Sequence, residues 1–183
     1  AEALTNNASV GGIHPAEATL ARLMCERFGL DRVRFTNSGT EANLLAMTTA
    51  VLATGRKKIL VFSGGYHGSV FYFASGNAPW NAPFDFVITP FNDEAAALQA
   101  ITTHATTLAA VVIEPMLGSG GCIPASPQFL AAVFQAARNV GAICIADEVM
   151  TSRHGSSGMM NMLGIEPDIT AFGKYIGGGF SFG

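Results

Sequence analysis

Short, almost wholly apolar runs recur along this chain, and they constrain its fold more than any other feature. The runs occupy residues 59–62, 86–89, 109–114, 142–146 and 169–172. Runs of this length and composition are typical of strands that are buried on both faces of a parallel sheet. Helical patterns separate most of them, and this alternation predicts right-handed βαβ units. The sequence therefore predicts an α/β fold with three layers, α/β/α, around a mostly parallel sheet.

Helix signals lie where this alternation requires them. A proline at the first position favours a helix at residues 15–28. Ser38 and Glu41 have the spacing of a capping box, and they begin a second helix. Asn92 is expected to cap a third helix, which is rich in alanine, and a fourth is predicted at about residues 126–140.

Charged residues are few, and this limits the kinds of molecule that the protein surface can bind. They make up 13% of the chain, against about 25% in an average globular protein. Such a surface is expected to be covered by a partner subunit or by a missing part of the chain. The net charge of −3 gives no basic stripe for nucleic acid. No apolar run approaches the roughly 20 residues that cross a bilayer, so a soluble protein is expected.

The cysteines and histidines show no metal-binding pattern, so no metal site is predicted. Cys25, Cys122 and Cys144 are widely spaced in apolar surroundings, which favours reduced thiols in the core over disulfides or zinc ligands. Such thiols fit a reducing compartment, the cytoplasm. The chain begins at Ala1 without a methionine or a signal-like segment, and it stops shortly after a glycine run. Both ends are therefore expected to be cuts in a longer protein.

Lys174 is the first residue with a candidate chemical role. It follows the apolar run at 169–172 and precedes the triple glycine at 177–179. It is therefore expected at the carboxyl edge of the sheet, where open α/β folds bind ligands. A partly desolvated lysine there can be a nucleophile towards a carbonyl group. Taken alone, however, a solvated surface lysine is the more frequent case.

Ser38, Gly39 and Thr40 open the second predicted helix and form a candidate phosphate site. Free backbone N–H groups at a helix N-terminus attract anions, the glycine allows close approach, and the two hydroxyls are further donors. The alternative is a plain helix cap without a ligand.

Tyr66 and His67 lie between glycines directly after the run at 59–62. A tight turn there would present an aromatic face for ring stacking and an imidazole at the strand end. The alternative is a turn with one half-buried tyrosine. The segment at 71–84 is the most aromatic of the chain, and core or subunit contact is expected for it before substrate lining.

Asp147 ends an apolar run, and a carboxylate in such surroundings needs a cationic partner or strong hydrogen bonds. Val149 points to the same side as Asp147 if the extended geometry persists. The alternative is a structural carboxylate that accepts bonds from backbone N–H groups.

Together these residues suit pyridoxal 5′-phosphate. Lys174 can bind its aldehyde as a Schiff base, Asp147 can keep the ring nitrogen protonated so that the ring accepts electrons, and the helix N-terminus can hold the phosphate. A dinucleotide is disfavoured because neither Gly-x-Gly-x-x-Gly nor Gly-x-x-x-x-Gly-Lys follows an early strand.

The sequence also resembles the class III pyridoxal-phosphate aminotransferases of fold type I, over nearly the whole chain. Five segments appear in the order of that family: Phe35–Asn43 (FTNSGTEAN), Gly65–Gly68 (GYHG), Val112–Met116 (VIEPM), Asp147–Thr151 (DEVMT) and Gly173–Gly179 (GKYIGGG). Within the family the chain is similar to the glutamate-1-semialdehyde aminomutase branch. It is more closely similar to the β-amino-acid (β-phenylalanine-type) aminotransferases, whose segments match residues 64–68 and 78–86.

The resemblance implies a role for each matched residue. Lys174 carries the Schiff base and moves the proton, and Asp147 pairs with the pyridinium nitrogen. Val149 and Tyr66 lie on the two faces of the ring. The other implied cofactor-binding residues are Ser38, Gly39 and Thr40 at the phosphate, and His67 and Glu114. Relatives often bind the 3′-oxygen of the cofactor with Asn or Gln after Glu-Pro, where this chain offers only Leu117 and Ser119.

The resemblance further implies that residues 1–183 are an incomplete large domain, without the N-terminal segment, the last sheet strand and the small C-terminal domain. A homodimer is implied for the full-length protein. A six-stranded remnant that includes residues 33–36, with a gap beside Lys174, is expected. The predicted activity is transfer of an amino group from an amino acid, preferably a β-amino acid, to a keto acid. The alternatives are an aminomutase and, from another class, a structural fragment without a cofactor.

Overall fold

The computed structural model of the protein describes residues 14–183, which fall into two compact units. The first unit, which ends at Arg34, contains helix α1 (Pro15–Phe28), as the sequence predicts. Gly29 ends this helix in the left-handed conformation, with a φ of 66°, and its N–H donates to the carbonyl of Cys25. The second unit, residues 35–183, contains the sheet.

A parallel sheet forms the centre of the second unit. The strands of this unit are β1 (Lys58–Phe62), β2 (Asp85–Thr89), β3 (Leu108–Ile113), β4 (Met116–Leu117), β5 (Ile123–Pro124), β6 (Ile143–Asp147) and β7 (Ile169–Ala171). Five of them form one sheet in the order β2-β1-β3-β6-β7, in which every pairing is parallel. The other two, β4 and β5, pair in a short antiparallel ribbon. The five parallel strands match the five apolar runs, so the predicted parallel sheet is confirmed.

Helices accompany the strands as the alternating pattern predicts. The helices of the second unit are α2 (Gly39–Thr54), α3 (Glu94–Thr103), α4 (Pro127–Asn139) and the short α5 (Met159–Met162). Ser38 caps α2, because its Oγ accepts a hydrogen bond from the N–H of Glu41 at 3.2 Å. The Glu41 carboxylate accepts from the N–H of Asn37 instead of Ser38. Only half of the predicted capping box therefore forms.

The cap of α3 differs from the prediction by one residue. Asp93 is the cap, and its Oδ1 accepts from the N–H of Ala96 at 3.0 Å. Asn92 has a φ of 60°, outside helical geometry. Its carboxamide instead donates to the carbonyl of Pro124 and accepts from the N–H of Ser126. Asn92 thus connects the loop before α3 to the loop before α4.

Apolar side chains pack on both faces of the sheet. Alternate residues of a strand point to opposite faces, so Leu60 and Phe62 join the cluster that includes residues of α3 and α4. Ile59 and Val61 join a second cluster, which includes residues of α2. The helices therefore lie on both sides of the sheet, and the predicted three-layer arrangement is confirmed.

The aromatic segment at 71–84 is divided between core and surface. Phe71 and Phe73 are fully buried in the cluster that includes α2, so the predicted core contact is confirmed for these two. Trp80 is 61% exposed. Asn81 holds the segment in place, because its carboxamide both accepts from and donates to the backbone of Tyr72.

The cysteines only partly follow the prediction. Cys144 is buried and Cys25 is partly exposed, but Cys122 is exposed because it lies in the loop between β4 and β5. The expectation of a core thiol is therefore wrong for Cys122. Among the described residues, no group of three His, Cys, Asp or Glu side chains is placed to hold a metal ion. Within residues 14–183, no helix is both long and apolar enough to cross a membrane.

Residues 33–36 do not form the predicted sixth strand. A strand requires a ladder of backbone hydrogen bonds to a neighbour, and within the described residues no such ladder forms at 33–36. Thr36 and Gly183 nevertheless exchange two backbone hydrogen bonds, of 2.8 and 2.9 Å. This single pair is not the continuous register that would contradict the predicted gap, so the gap beside Lys174 stays a prediction.

Candidate active site

A cavity of about 500 Å³ lies at the carboxyl ends of the parallel strands. The loops after β1, β3, β6 and β7 and the N-terminus of α2 supply its walls. All nine residues that the sequence singles out line this cavity: Ser38, Gly39, Thr40, Tyr66, His67, Glu114, Asp147, Val149 and Lys174. The fold thus brings them together, and their individual roles stay predictions.

Asp147 is buried at the end of β6 and accepts three hydrogen bonds. Its Oδ2 accepts from Asn43 Nδ2 at 2.8 Å and lies 2.8 Å from His67 Nδ1. Its Oδ1 accepts from the N–H of Val149 at 3.0 Å. A carboxylate has about four acceptor sites, so one site on Oδ1 is left for a further donor. The alternative, a structural carboxylate that accepts bonds from backbone N–H groups, describes one of these three contacts, because the N–H of Val149 is the backbone donor and the other two donors are side chains.

His67 is buried beside Asp147. Because a carboxylate is an acceptor, the proton of this contact belongs to His67 Nδ1. Burial lowers the pKa of His67, but the hydrogen bond to Asp147 and the charges of Asp147 and Glu114 outweigh it, so the pKa lies above its usual 6.5. The imidazole therefore contacts the carboxylate, although the residue also lines the cavity.

Glu114 follows β3 and holds two loops together. Its Oε1 accepts from the N–H of Tyr66 at 2.9 Å, and its Oε2 accepts from the N–H of Gly118 at 3.0 Å. Burial raises the pKa of the Glu114 carboxyl, against the opposing effects of His67 and of the two N–H donors. Both carboxyl oxygens are thus engaged in supporting the loops after β1 and β3.

Two apolar side chains form part of the cavity wall. The Tyr66 ring is 38% exposed and meets Tyr72 edge to face, with ring centroids 5.7 Å apart. Val149 packs so closely on the start of α2 that a Cβ at Gly39 would lie 2.7 Å from its Cγ2. A glycine at position 39 is therefore needed for this contact.

The predicted phosphate site is the N-terminus of α2. Ser38 Oγ is the helix cap, and Thr40 Oγ1 accepts from the N–H of Ser69 at 3.3 Å. The plain-cap interpretation accounts for the position of Ser38, but it does not explain why all three residues of the site line the cavity. Backbone N–H groups of the first turn have no partner within a helix and can bind an anion.

Gly68→Ala is expected to lower the free energy of unfolding by roughly 3 kcal/mol, because overpacking and backbone strain add. A Cβ at this position would lie 2.7 Å from the Cα of Thr40, and the φ of Gly68 is 128°. Urea unfolding followed by circular dichroism measures the loss. Gly76→Ala is the control, since its φ is 97° but nothing lies within 4 Å of its Cβ position. Equal losses in the two variants would contradict the steric argument.

Lys174 lines the cavity and has an unusual backbone. It begins the 3₁₀ turn Lys174–Gly177 after β7, with a left-handed φ of 51°. This conformation costs a non-glycine residue about 1–2 kcal/mol. The neighbouring Tyr175 ties the turn down, since its hydroxyl donates to the carbonyl of Ser152 at 2.9 Å and the Arg153 guanidinium lies 5.0 Å from its ring. Strained residues persist where their surroundings fix them, often at functional sites.

Several residues that line the cavity received no role from the sequence. They are Asn37, Asn43, Gly68, Gly118, Met150, Phe180 and Phe182. The sequence could have identified Asn43, because it ends the FTNSGTEAN segment and lies one helical turn after Gly39. Of the two candidates for the 3′-oxygen, Ser119 lines the cavity, whereas Leu117 is buried.

Comparison with known proteins identifies the family. The class III aminotransferase family model matches residues 5–183, nearly the whole chain. The chain belongs to the class III aminotransferases. Pyridoxal 5′-phosphate is the cofactor of these enzymes, so the predictions of family, enzyme class and cofactor are confirmed.

Individual class III aminotransferases agree with this assignment. The chain is 51% identical to the β-phenylalanine transaminase of Variovorax paradoxus over 183 residues, which is all of this chain and 42% of the relative. It is 36% identical to a glutamate-1-semialdehyde 2,1-aminomutase of Thermomicrobium roseum, of which it covers 46%. A crystal structure of a β-phenylalanine aminotransferase from V. paradoxus matches with a TM-score of 0.92 and 52% identity, over 94% of this chain and 40% of that one. The chain thus spans less than half the length of these relatives.

Proposed function

We propose that this chain forms the cofactor-binding part of a transaminase. The enzyme would move an amino group from an amino acid, preferably a β-amino acid such as an aromatic one, to a keto acid. The observation that carries the proposal is the convergence of Lys174, Asp147 and the N-terminus of α2 on one cavity of about 500 Å³. The 51% identity to a β-phenylalanine transaminase supports the donor class.

The residues present fit pyridoxal 5′-phosphate. The carboxylate of Asp147 keeps one free acceptor site for a protonated ring nitrogen, and the first turn of α2 offers N–H groups to a phosphate. Val149 and Tyr66 are apolar surfaces for the two ring faces. Lys174 supplies the primary amine that an aldehyde requires.

The bound cofactor would supply an electron-withdrawing ring that stabilises negative charge on the substrate carbon. Lys174 would bind the cofactor covalently through Nζ and, once released, would carry the proton to and from the substrate carbon. Asp147 would keep the ring nitrogen protonated. Ser38, Gly39 and Thr40 would hold the phosphate, Ser119 is the candidate donor to the 3′-oxygen, and Glu114 and His67 would support the surrounding loops and Asp147.

We also propose that residues 1–183 are part of a large domain, which a small C-terminal domain and a second copy of the chain complete in a cytoplasmic homodimer. The chain covers only 42% of the β-phenylalanine transaminase. Its 13% content of charged residues leaves an apolar surface that further protein would cover. Experiments on activity therefore belong to the full-length protein.

Reduction with sodium borohydride tests the proposal. The full-length protein, loaded with pyridoxal 5′-phosphate and reduced, is expected to carry one pyridoxyl group, which peptide mass spectrometry locates at Lys174. Amino transfer from β-phenylalanine to a keto acid is expected in the unreduced enzyme. A modified lysine other than Lys174 would refute the assignment of Lys174, and no modification at all would favour a structural chain without a cofactor.

An aminomutase is the second candidate, and the 36% identity to the enzyme of T. roseum favours it. In an aminomutase the donor and the acceptor are one molecule. Conversion of glutamate-1-semialdehyde without any keto acid, together with no transfer from β-phenylalanine, would support this alternative over a transaminase.

A further inference from the structure

Asn43 is a buried polar residue that the proposed function does not use. It lies in the second turn of α2, with 1% of its surface exposed. Its Nδ2 donates to the carbonyl of His67 at 3.1 Å and to Asp147 Oδ2 at 2.8 Å. Both partners are acceptors, so a rotated carboxamide would place its oxygen against them. The two hydrogen bonds therefore fix the orientation of the Asn43 amide.

The other end of the same carboxamide is unsatisfied. Asn43 Oδ1 is buried, and it has no hydrogen-bond partner within the described part of the chain. A buried polar atom without a partner lowers stability. A leucine, which is similar in size, would avoid this cost, but it would leave the carbonyl of His67 and Oδ2 of Asp147 without the amide donor. The unsatisfied oxygen is therefore tolerated together with two hydrogen bonds, one of which orients the carboxylate of Asp147.

His67 reaches the same carboxylate from the loop after β1. Its imidazole is buried, with Nδ1 at 2.8 Å from Asp147 Oδ2, and Phe73 lies beside it with ring centroids 6.2 Å apart. The charged groups that act on this imidazole are Asp147 and Glu114. The backbone of His67 also receives the second hydrogen bond of Asn43, so Asn43, His67 and Asp147 form one connected group.

The donors divide unequally between the two oxygens of Asp147. Oδ2 is occupied by Asn43 and His67, whereas Oδ1 has one donor among residues 14–183, the N–H of Val149. Hydrogen bonds to the charged form of a carboxyl favour that form. They also fix the plane of the carboxylate, which leaves the free acceptor site on Oδ1.

We propose that Asn43 and His67 are positioning residues that hold Asp147 ionised, with Oδ1 directed to the ring nitrogen of the cofactor. The inference rests on the proposed function, because it requires pyridoxal 5′-phosphate in the cavity. Neither residue needs to touch the cofactor for this role. This gives the buried amide of Asn43 a role. It also assigns His67 to the support of Asp147, where the sequence predicted contact with the cofactor.

Asn43→Leu in the full-length protein tests the inference, and Asn92→Leu is the matched control. Asn92 also makes two hydrogen bonds through its carboxamide, but to Pro124 and Ser126, whose side chains do not line the cavity. Asn43→Leu is expected to raise the Kd of pyridoxal 5′-phosphate about tenfold, the value of one hydrogen bond to a charged group. Asn92→Leu is expected to lower stability and leave Kd unchanged.

The visible absorbance of the bound cofactor is a second readout, which a merely structural role would not move. A positively charged ring nitrogen repels the proton on the Lys174 nitrogen. Loss of Asn43 weakens that charge, so the pH midpoint of the absorbance is expected to move upwards by about one unit. A variant that binds the cofactor as tightly as the wild type, with the same midpoint, would overturn the inference.

His67 provides an independent test if Asn43→Leu does not fold. His67→Asn keeps an N–H donor near the position of Nδ1, whereas His67→Phe keeps the ring and removes the donor. His67→Asn is expected to retain the wild-type midpoint, and His67→Phe is expected to shift it as Asn43→Leu does. Equal midpoints in the two His67 variants would overturn the inference.

The His67→Phe variant is also expected to change how the stability of the protein depends on pH. A histidine with a raised pKa stabilises the fold below its usual pKa of 6.5, and this contribution is lost as pH rises through the folded value. The free energy of unfolding of the wild type, measured with urea, is therefore expected to fall as pH rises above about 6.5. In His67→Phe this fall with pH is expected to disappear. An unchanged pH dependence in His67→Phe would count against an imidazole bonded to Asp147.

Failure of the proposed function looks different from failure of the inference. A wild-type protein that takes up no pyridoxal 5′-phosphate would overturn both. A wild-type protein that binds it at Lys174, with variants of Asn43 and His67 that bind it equally well, would overturn only the inference.

Discussion

Lys174→Ala is expected to eliminate the pyridoxyl group that borohydride fixes to the protein and to lower kcat at least about 1000-fold. The first effect follows because an alanine has no amine with which to bind the aldehyde. The second follows because proton transfer by a positioned side chain contributes about 10²- to 10⁴-fold to a rate. Peptide mass spectrometry and a transamination assay of the full-length enzyme measure the two effects.

Lys57→Ala is the control for the loss of a lysine, since Lys57 precedes β1 and is not part of the cavity. It is expected to keep both the adduct and the activity. Lys174→Gly separates chemistry from backbone strain. A glycine tolerates the φ of 51° at this position, so this variant is expected to be about 1 kcal/mol more stable than Lys174→Ala and equally inactive. An active alanine variant would refute the assignment of Lys174.

Asp147→Ala is expected to raise the Kd of the cofactor at least about 100-fold and to lower the free energy of unfolding by about 3 kcal/mol. The change removes the partner of a protonated ring nitrogen. It also leaves the Asn43 amide, the His67 imidazole and the Val149 N–H buried without their acceptor. Equilibrium dialysis and urea unfolding measure the two losses separately.

Asp147→Asn separates the chemical loss from the structural one. The amide keeps the size of the side chain and one acceptor oxygen, so the loss of stability is expected to be smaller. The neutral amide cannot keep a ring nitrogen protonated, so activity is expected to fall as far as in Asp147→Ala. Asp168→Asn is the control, because Asp168 accepts from the N–H of Cys144 and lies outside the cavity. Wild-type activity in Asp147→Asn would contradict the role of an ionised Asp147.

Local patterns in the sequence located the strands and the larger helices. Each apolar run became a parallel strand, because runs of four to six residues between helix and turn signals are too short for helices and suit strands that are buried on both faces. Residues 33–36, which lie outside these five runs, were expected to form a further strand and do not. Four residues can show a preference for extended backbone, but they do not show whether a neighbouring strand pairs with them.

The candidate site also has residues that the sequence predicted and contacts that it did not. Lys174 and Asp147 were predicted because Asp147 ends one apolar run and Lys174 follows another, and parallel strands end at one edge of their sheet. The hydrogen bonds of Glu114 were not predictable, since its two partners, Tyr66 and Gly118, belong to loops whose shapes are not encoded in short motifs. The left-handed backbone of Lys174 was also unforeseen, because its surroundings impose it.

The sequence by itself indicated the α/β fold and the residues at the strand ends, since these depend on neighbours within a few positions. It indicated the cofactor class through the types of residue at those ends and through the resemblance of five segments between Phe35 and Gly179 to one family. Only the tertiary structure decided how Asp147 is held. Asn43 is 104 positions away from Asp147 along the chain and His67 is 80 positions away. Hydrogen bonds over such separations depend on the packing of α2 and the β1 loop against the end of β6. A sequence pattern with a period of two or 3.6 residues carries no information about that packing.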